Sequence, residues 1–152
     1  MKVEQRGLRG SSAARIDDKG RLKVPTSFRE DLESSGGQEV FVTSVLGEKA
    51  LIFPLPEWEK QEARLLAMPS TDPARNRYLE RVNFYGQQTR LDAQGRLVLP
   101  QLLRANAGLD GEVVVSGHID HLEVWNRERL ETRLAEQPFT EEDFGALSAA
   151  GI

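Results

Sequence analysis

Residues 15–30 read RIDDKGRLKVPTSFRE, and residues 90–105 repeat the pattern as RLDAQGRLVLPQLLRA. Seven of the sixteen aligned positions are identical, and the pairs are Arg15 and Arg90, Asp17 and Asp92, Gly20 and Gly95, Arg21 and Arg96, Leu22 and Leu97, Pro25 and Pro100, and Arg29 and Arg104. Chance would give about one identity over this length. The repetition therefore indicates two copies of one supersecondary unit in a single chain.

Each copy centres on a tight turn with the pattern Asp-x-x-Gly-Arg. A strand ends at Asp17 or Asp92, and the chain then reverses. Gly20 and Gly95 suit the positive φ that a three-residue hairpin loop needs. The aspartate side chains can accept hydrogen bonds from N–H groups of the turn. We therefore interpret these two aspartates and two glycines as the residues that support the turns.

After the turn, the sequence of each copy predicts a short strand, a helix and a hairpin. The helices follow Pro25 and Pro100, because proline is tolerated best where a helix begins. They end near Gly36-Gly37 and Gly108. The apolar runs that predict the hairpin strands are residues 39–44, 50–53, 112–117 and 122–126.

These elements divide the chain into four segments. Residues 8–56 form a first unit, and residues 57–83 form a helical linker. Residues 84–136 form a second unit with a C-terminal helix, and residues 137–152 form an acidic, loosely held tail. Ahead of the first unit lies a mildly basic arm that contains Lys2, Arg6 and Arg9.

Charge is segregated along the chain, although the net charge is only −4. Residues 1–30 and 73–104 each sum to +4, whereas residues 31–72 and 105–152 sum to −5 and −7. Both positive segments contain a copy of the repeated turn. A polyanion within a Debye length of about 8–10 Å responds to this local charge rather than to the net charge.

Basic residues around the turns are the candidate nucleic-acid contacts. Arginine offers a rigid bidentate fork that matches phosphate or the guanine edge in the major groove. The predicted DNA-binding residues are Arg15, Lys19, Arg21, Arg29, Arg90, Arg96 and Arg104. A turn in which aspartate simply pairs with arginine is the structural alternative.

Several function classes find no support in the sequence. There is no cysteine and hence no disulfide framework, which fits a reducing cytoplasm. No apolar run reaches the roughly 20 residues of a membrane span, and the N-terminus lacks the apolar region of a secretory signal. Neither a nucleophile elbow, a P-loop nor a Rossmann glycine pattern occurs, so we predict no enzyme, no cofactor and no small-molecule substrate.

Both histidines lie in the stretch His118-Ile119-Asp120-His121. Two histidines three residues apart could bind a metal, but a catalytic zinc site normally needs three protein ligands. The matching loop of the first copy, Gly47-Glu48-Lys49, contains no histidine. We therefore interpret the stretch as a polar hairpin loop and predict no metal site.

Two tandem copies of Asp-x-x-Gly-Arg, each followed by Val-Pro or Leu-Pro and an arginine-bearing helix, resemble the MraZ family of bacterial transcriptional regulators. The stretch LIFPLPEWE at 51–59 is also similar to that family. The resemblance covers about residues 8–137. It implies an α+β fold of two tandem swapped-hairpin, AbrB/SpoVT-like units that form a pseudo-two-fold small β-barrel with flanking helices.

The resemblance also implies a function. Such a protein is a cytoplasmic, nucleoid-associated repressor that binds tandem promoter repeats in double-stranded DNA as a ring-shaped homo-oligomer. Its target is its own division and cell-wall operon. The family's Asp-x-x-x-Arg motif corresponds to Asp17 and Arg21, and to Asp92 and Arg96. Since the first turn carries Asp18-Lys19 and the second Ala93-Gln94, the two turns need not contact DNA equally.

Two other functions stay open. Swapped-hairpin folds also occur in antitoxins, so a protein-binding or structural ring whose acidic tail wraps a partner is one alternative. A metal-dependent enzyme that uses His118 and His121 is the other. Co-purification of a partner would favour the first, and metal content would favour the second.

Overall fold

The computed structural model describes residues 7–152. The basic residues Lys2 and Arg6 of the N-terminal arm lie outside the described residues. Eight strands and six helices follow one another within the described range. They are β1 (Ser11–Ile16), β2 (Arg21–Lys23), α1 (Thr26–Gly36), β3 (Glu39–Thr43), β4 (Ala50–Pro54), α2 (Leu55–Leu66), α3 (Pro73–Phe84), β5 (Gln87–Arg90), β6 (Arg96–Val98), α4 (Gln101–Ala107), β7 (Gly111–Gly117), β8 (Leu122–Asn126), α5 (Arg127–Glu136) and α6 (Glu141–Ser148).

The strands form one antiparallel sheet that curls into a nearly closed barrel. Their order is β5-β3-β4-β8-β7-β1-β2-β6. The two end strands are joined by a turn in which the Asp92 N–H donates to the Arg96 carbonyl at 2.9 Å. The equivalent bond of the first copy, from Asp17 to the Arg21 carbonyl, measures 3.0 Å. The predicted α+β class and small barrel are confirmed.

The two copies exchange their first strands. Strand β1 of the first copy pairs with β7 of the second, from Ser11 opposite Ser116 to Ile16 opposite Gly111. Strand β5 of the second copy pairs in turn with β3 of the first, with Arg90 opposite Glu39. Each hairpin is therefore completed by the other copy, which is the predicted swapped-hairpin arrangement within one chain.

Two ladders join equivalent strands of the copies and mark the pseudo-two-fold axis. Strand β2 pairs with β6, with Leu22 opposite its own counterpart Leu97. Strand β4 pairs with β8, with Leu51 opposite its counterpart Glu123. Because equivalent residues face each other in both ladders, the axis passes through these two points of the barrel.

The barrel interior forms the main hydrophobic core. Leu22 and Leu97 are fully buried in it, together with side chains from the helices that cover the barrel, such as Leu32 of α1 and Leu103 of α4. Fully burying one leucine contributes about 1.5–3 kcal/mol. The paired leucines therefore anchor the two short strands that follow the turns.

A second cluster holds α2 and α3 against the outside of the sheet. The Trp58 ring of α2 stacks on Phe41 at a centroid distance of 4.7 Å. The Thr43 hydroxyl donates to the Val82 carbonyl of α3 at 2.6 Å. Trp58 and Trp125 are each only 4% exposed, so both tryptophans serve packing.

The C-terminal segment, which the sequence predicts to be an acidic, loosely held tail, contains helix α6. A capping box fixes the start of this helix. The Thr140 N–H donates to the Asp143 carboxylate at 2.9 Å, and the Asp143 N–H donates to the Thr140 hydroxyl at 3.2 Å. Residues 137–152 are nonetheless all exposed. The helix therefore depends on local capping rather than on burial against the barrel.

Candidate nucleic-acid interface

Each turn is built around an aspartate that binds its own arginine. The Asp17 Oδ1 atom accepts the N–H groups of Lys19 and Arg21 at 3.0 and 2.9 Å. Its Oδ2 atom accepts the Arg21 Nε at 2.7 Å. We call residues 17–21 turn 1. The carboxylate thereby fixes both the backbone of the turn and the plane of the guanidinium group.

The second turn repeats this geometry. The Asp92 Oδ1 atom accepts the N–H groups of Gln94 and Arg96 at 2.9 and 2.8 Å. Its Oδ2 atom accepts the Arg96 Nε at 3.0 Å. We call residues 92–96 turn 2. The Arg21 and Arg96 side chains are 30% and 29% exposed, so both arginines are held in place yet reachable from solvent.

The ionisation of the aspartates follows from these bonds. The backbone N–H of Arg21 lowers the pKa of Asp17 below its ordinary value and outweighs the opposing effect of desolvation. The backbone N–H of Arg96 does the same to the pKa of Asp92. Both carboxylates are therefore charged at neutral pH. Since each one neutralises an arginine, the two pairs supply geometry rather than net positive charge.

The glycines allow the turns to close against the opposite copy. Gly20 and Gly95 have φ values of 80° and 74°, where side chains are rarely tolerated. Both are buried, and a Cβ atom at Gly20 would overlap the guanidinium group of Arg104. A Cβ atom at Gly95 would collide with the side chain of Arg29. The positive φ thus favours glycine at both positions, and a Cβ atom there would also displace an arginine side chain of the other copy.

The turns lie next to each other because their strands pair. Strands β2 and β6 form a two-stranded antiparallel ribbon, with Arg21 opposite Val98 and Lys23 opposite Arg96. The Gly95 carbonyl accepts the Val24 N–H at 3.0 Å. Because the strands are antiparallel and each begins at its own turn, turn 1 and turn 2 lie at the two ends of this three-residue ribbon. Arg21 and Arg96 are two register positions apart, on the same outer face as Lys23.

Arg29 and Arg104 connect each helix to the turn of the other copy. The Arg29 guanidinium donates to the Ala93 carbonyl of turn 2 at 3.1 Å and to Glu33 at 3.1 Å. Arg104 packs against Gly20 of turn 1 and donates from Nε to the Leu99 carbonyl at 3.1 Å. Both predicted contact residues therefore lie at the turns, where they also hold the two copies together.

Arg15 and Arg90 lie farther along the strands and beside acidic residues. Arg15 is exposed on β1 with Glu112 opposite it. Arg90 is opposite Glu39, with Nη1 4.0 Å from a carboxylate oxygen. The equivalent placement follows from the pseudo-two-fold symmetry. Each neighbouring carboxylate weakens the positive potential of its arginine, so these two positions are less favourable for a polyanion than the turns.

Two lysines make the first copy more basic. Lys19 is exposed on turn 1, where turn 2 has Gln94. Lys23 is exposed on the ribbon, where the second copy has Val98. Lys23 was not among the predicted contact residues. The sequence does contain a signal for Lys23. Apolar Leu22 lies between Arg21 and Lys23, and this alternation places both cations on the outer face of one strand.

Comparison with known proteins assigns the family. The family model described as "MraZ protein, putative antitoxin-like" matches residues 8–81 and 86–149. A protein named transcriptional regulator MraZ from Acidobacterium capsulatum is 44% identical over 145 residues, which cover 95% of this chain and 99% of that protein. A protein of the same name from Koribacter versatilis is 46% identical over 146 residues, with coverage of 95% and 99%.

A more distant relative gives the same result. The transcriptional regulator MraZ of Chromobacterium violaceum is 36% identical over 127 residues, which cover 84% of this chain and 86% of that protein. None of these three names is that of an enzyme. In the described range 7–152, no helix has the length and hydrophobicity needed to cross a bilayer.

Proposed function

The chain belongs to the MraZ family of transcriptional regulators, and from that premise we propose that it binds promoter DNA with turn 1, turn 2 and the ribbon between them. The observation that carries the proposal is the pair of arginines that aspartates fix on the outer face of the ribbon. A duplex lying across that face meets Arg21 and Arg96 together, and an oriented arginine matches a guanine edge in the major groove. Turn 1 and turn 2 are therefore two halves of one reading surface.

Base reading and phosphate contact fall to different residues in this proposal. The bonds from Nε to Asp17 and Asp92 orient the guanidinium groups of Arg21 and Arg96. A guanidinium group held in this way can donate two hydrogen bonds to a guanine edge. Lys19 and Lys23 contact phosphates, because their ammonium groups are exposed and flexible. Arg29 and Arg104 hold the turns and add charge near the backbone, while Arg15 and Arg90 contribute at longer range.

The test is fluorescence anisotropy with the duplex from just upstream of the protein's own gene and a scrambled duplex of equal length. We expect the native protein to prefer the upstream duplex. The variant Arg21→Lys/Arg96→Lys keeps the charge but loses the planar fork. Each good arginine–guanine contact contributes about 1–3 kcal/mol of discrimination, so the preference should fall at least about tenfold.

The controls separate base reading from general attraction. Arg127→Lys is matched, because Arg127 also makes an i,i+4 pair with an acid, at 3.0 Å from Glu131, but lies on α5. It should leave binding unchanged. If Arg21→Lys/Arg96→Lys binds both duplexes as the native protein does, the aspartate–arginine pairs serve the fold alone and the proposal fails.

Ring assembly on repeated sites would explain how an acidic protein binds DNA tightly. Each chain offers the phosphates four cations in this proposal, namely Lys19, Lys23, Arg29 and Arg104. Four phosphate contacts correspond to a slope of log affinity against log salt concentration of only about −3.6. Joining several units raises the effective concentration at a promoter with several repeats. We therefore propose a ring-shaped homo-oligomer. Its mass by light scattering should be a fixed multiple of 17.0 kDa, and the salt slope should steepen with repeat number.

The regulatory target follows from the family resemblance. We propose that the protein is a nucleoid-associated repressor of its own division and cell-wall operon. A reporter gene placed behind the upstream region should lose expression when the native protein is supplied. The Arg21→Lys/Arg96→Lys variant should not repress it. Increased reporter expression with the native protein would make it an activator instead.

One observation keeps an antitoxin-like function as the second candidate. The C-terminal segment exposes apolar side chains, including Phe139 and Phe144, which are 59% and 63% exposed. Their rings contact each other at 4.6 Å and leave a combined apolar surface. Such a surface could bind a partner protein. If Phe139→Ser/Phe144→Ser abolishes a stable one-to-one complex with a defined partner and leaves DNA binding intact, this second function holds.

A further inference from the structure

The β7–β8 hairpin brings together three side chains of the types that bind metals, two histidines and one glutamate. His118 and His121 flank the hairpin turn, and Glu123 lies on β8 two residues beyond His121. The His121 ring and the Glu123 carboxylate meet on one side of the hairpin, with Nε2 of His121 3.3 Å from Oε2 of Glu123. The His118 N–H donates to the His121 carbonyl at 2.9 Å, which closes the turn and brings His118 to the same carboxylate.

The distances within this cluster suit a small metal ion. The Nε2 atoms of His118 and His121 lie 3.4 and 3.3 Å from the Glu123 carboxylate oxygens. One donor atom from each of the three residues lies within 4.8 Å of the other two. Ligands at zinc bond lengths of about 2.0–2.1 Å in tetrahedral geometry are about 3.4 Å apart. The edge between Nε2 of His121 and Oε2 of Glu123 already has that length, whereas His118 lies nearest the other carboxylate oxygen, Oε1.

Outer contacts orient the donors as they do in metal sites. The Asp120 carboxylate lies 2.7 Å from Nδ1 of His121 and can accept its proton, which leaves Nε2 free to bind metal. Glu123 is 6% exposed, and its Oε1 atom accepts from Lys49 at 3.0 Å and from the Trp125 indole at 3.3 Å. Its Oε2 atom faces His121, so Glu123 can bind a metal through one oxygen and keep its pair with Lys49.

We propose that His118, His121 and Glu123 bind one divalent first-row transition metal ion, of which zinc is the best probe. Imidazole and carboxylate ligands without any thiolate favour zinc, cobalt or nickel over softer ions. The His118 side chain is 46% exposed, which gives the ion a path from solvent and leaves room for a water ligand. The site belongs to the second copy alone, because Leu51 takes the position of Glu123 in the first.

The ion would stabilise the contact between this loop and the segment that precedes β1. Within the same loop, Ile119 exchanges two backbone hydrogen bonds of 2.8 and 2.9 Å with Leu8, the buried residue that precedes β1. Ile119 has a φ of 69°, an unfavourable value for a β-branched residue. A metal bound by His118 and His121 restrains the turn from both sides of this strained residue. Binding should therefore stabilise the loop and the segment it holds.

The experiment is isothermal titration calorimetry of the metal-free full chain with zinc sulfate, paired with thermal unfolding. The native protein should bind one zinc ion per chain and unfold at a higher temperature with zinc. His118→Ala and Glu123→Gln should each lower the affinity at least about tenfold, and the outer-contact variant Asp120→Asn should lower it about 10–100-fold. Glu48→Gln, on the matching loop of the first copy, should leave the zinc affinity unchanged.

The variants keep the proposal falsifiable. His118 is exposed, so His118→Ala should fold even if His121→Ala does not, since the His121 ring stacks on Phe53 at 4.6 Å. Saturable zinc binding that His118→Ala, Glu123→Gln and Asp120→Asn all leave intact would overturn the proposed site. An absence of saturable binding by the native chain would also overturn it.

Discussion

The first and second copies share a backbone design and differ in the charges they place on it. In both, an aspartate fixes an arginine, a buried glycine closes the turn, and an arginine from the other copy packs against that glycine. The lysines at positions 19 and 23 belong to the first copy alone, and the histidine cluster belongs to the second. The two copies therefore share the fold and the oriented arginines, but they differ in their charge and in the proposed metal site.

The glycines are the strongest test of what the two copies share. Gly20→Ala and Gly95→Ala place a Cβ atom at a φ near 80° or 74° and against an arginine of the other copy. We expect each to lower the free energy of unfolding by about 1–2 kcal/mol, mainly from backbone strain, because the arginine side chain can move away from the new Cβ atom. Urea unfolding measures it. Gly145→Ala is the control, because nothing contacts that position, and a loss there of equal size would refute the argument.

Removing the arginines that connect the copies should have a smaller effect. Arg29→Ala deletes a bond to the Ala93 carbonyl of the other copy and the pair with Glu33, whereas Arg104→Ala deletes a bond to the Leu99 carbonyl of its own copy. Each should lower the free energy of unfolding by about 1 kcal/mol, the ordinary value of one hydrogen bond, with the loss for Arg29→Ala at least as large as that for Arg104→Ala. Urea unfolding of both variants measures the two losses side by side. A larger loss for Arg104→Ala would contradict the greater role of the bond that crosses the copies.

Sequence alone predicted most of the backbone, because its signals are local. Aspartate, glycine and proline at fixed offsets specify a turn and a helix start in each copy. The exchange of strands depends on the family resemblance, since no local pattern states whether β1 pairs with β3 or with β7. The capping box at Thr140 and Asp143 is a local signal for a helix start, whereas the acidic composition around it favours a loose tail.

The site was less predictable, since it depends on contacts between distant residues. The bond between Arg29 and Ala93 spans 64 positions, so the repeat indicated a basic residue near a turn without indicating which turn. Glu123 lies beyond the hairpin turn, in a strand that reads as apolar, and its contact with both histidines emerges only when the turn is folded. Such placements require the three-dimensional register.

The charge difference between the copies offers a test of phosphate contact. Lys19→Gln/Lys23→Val gives the first copy the residues that the second copy has at those positions. We expect the salt slope to become shallower by about two on upstream and scrambled duplexes alike, because both lysines release counterions without reading bases. Fluorescence anisotropy over a range of salt concentrations measures it. A selective loss on the upstream duplex would assign base contacts to these lysines.

The aspartates predict a small dependence of stability on pH. Because the folded-state pKa values of Asp17 and Asp92 lie below 3.8, their contribution is present above that pH. It is lost as the pH falls through the lowered values. The native protein should therefore lose stability relative to Asp17→Asn/Asp92→Asn in acid. Urea unfolding at a series of pH values checks this, and a constant difference between the two proteins would contradict it.

Hydrogen exchange with and without the upstream duplex tests the central claim most directly, because it reports on both turns in one unmodified protein. The account predicts that peptides covering 17–24 and 92–99 both gain protection when the duplex binds. Peptides covering α5 and α6 should be unchanged. Protection confined to one turn, or found only in the C-terminal helices, would contradict the claim that the two copies form one DNA-reading surface.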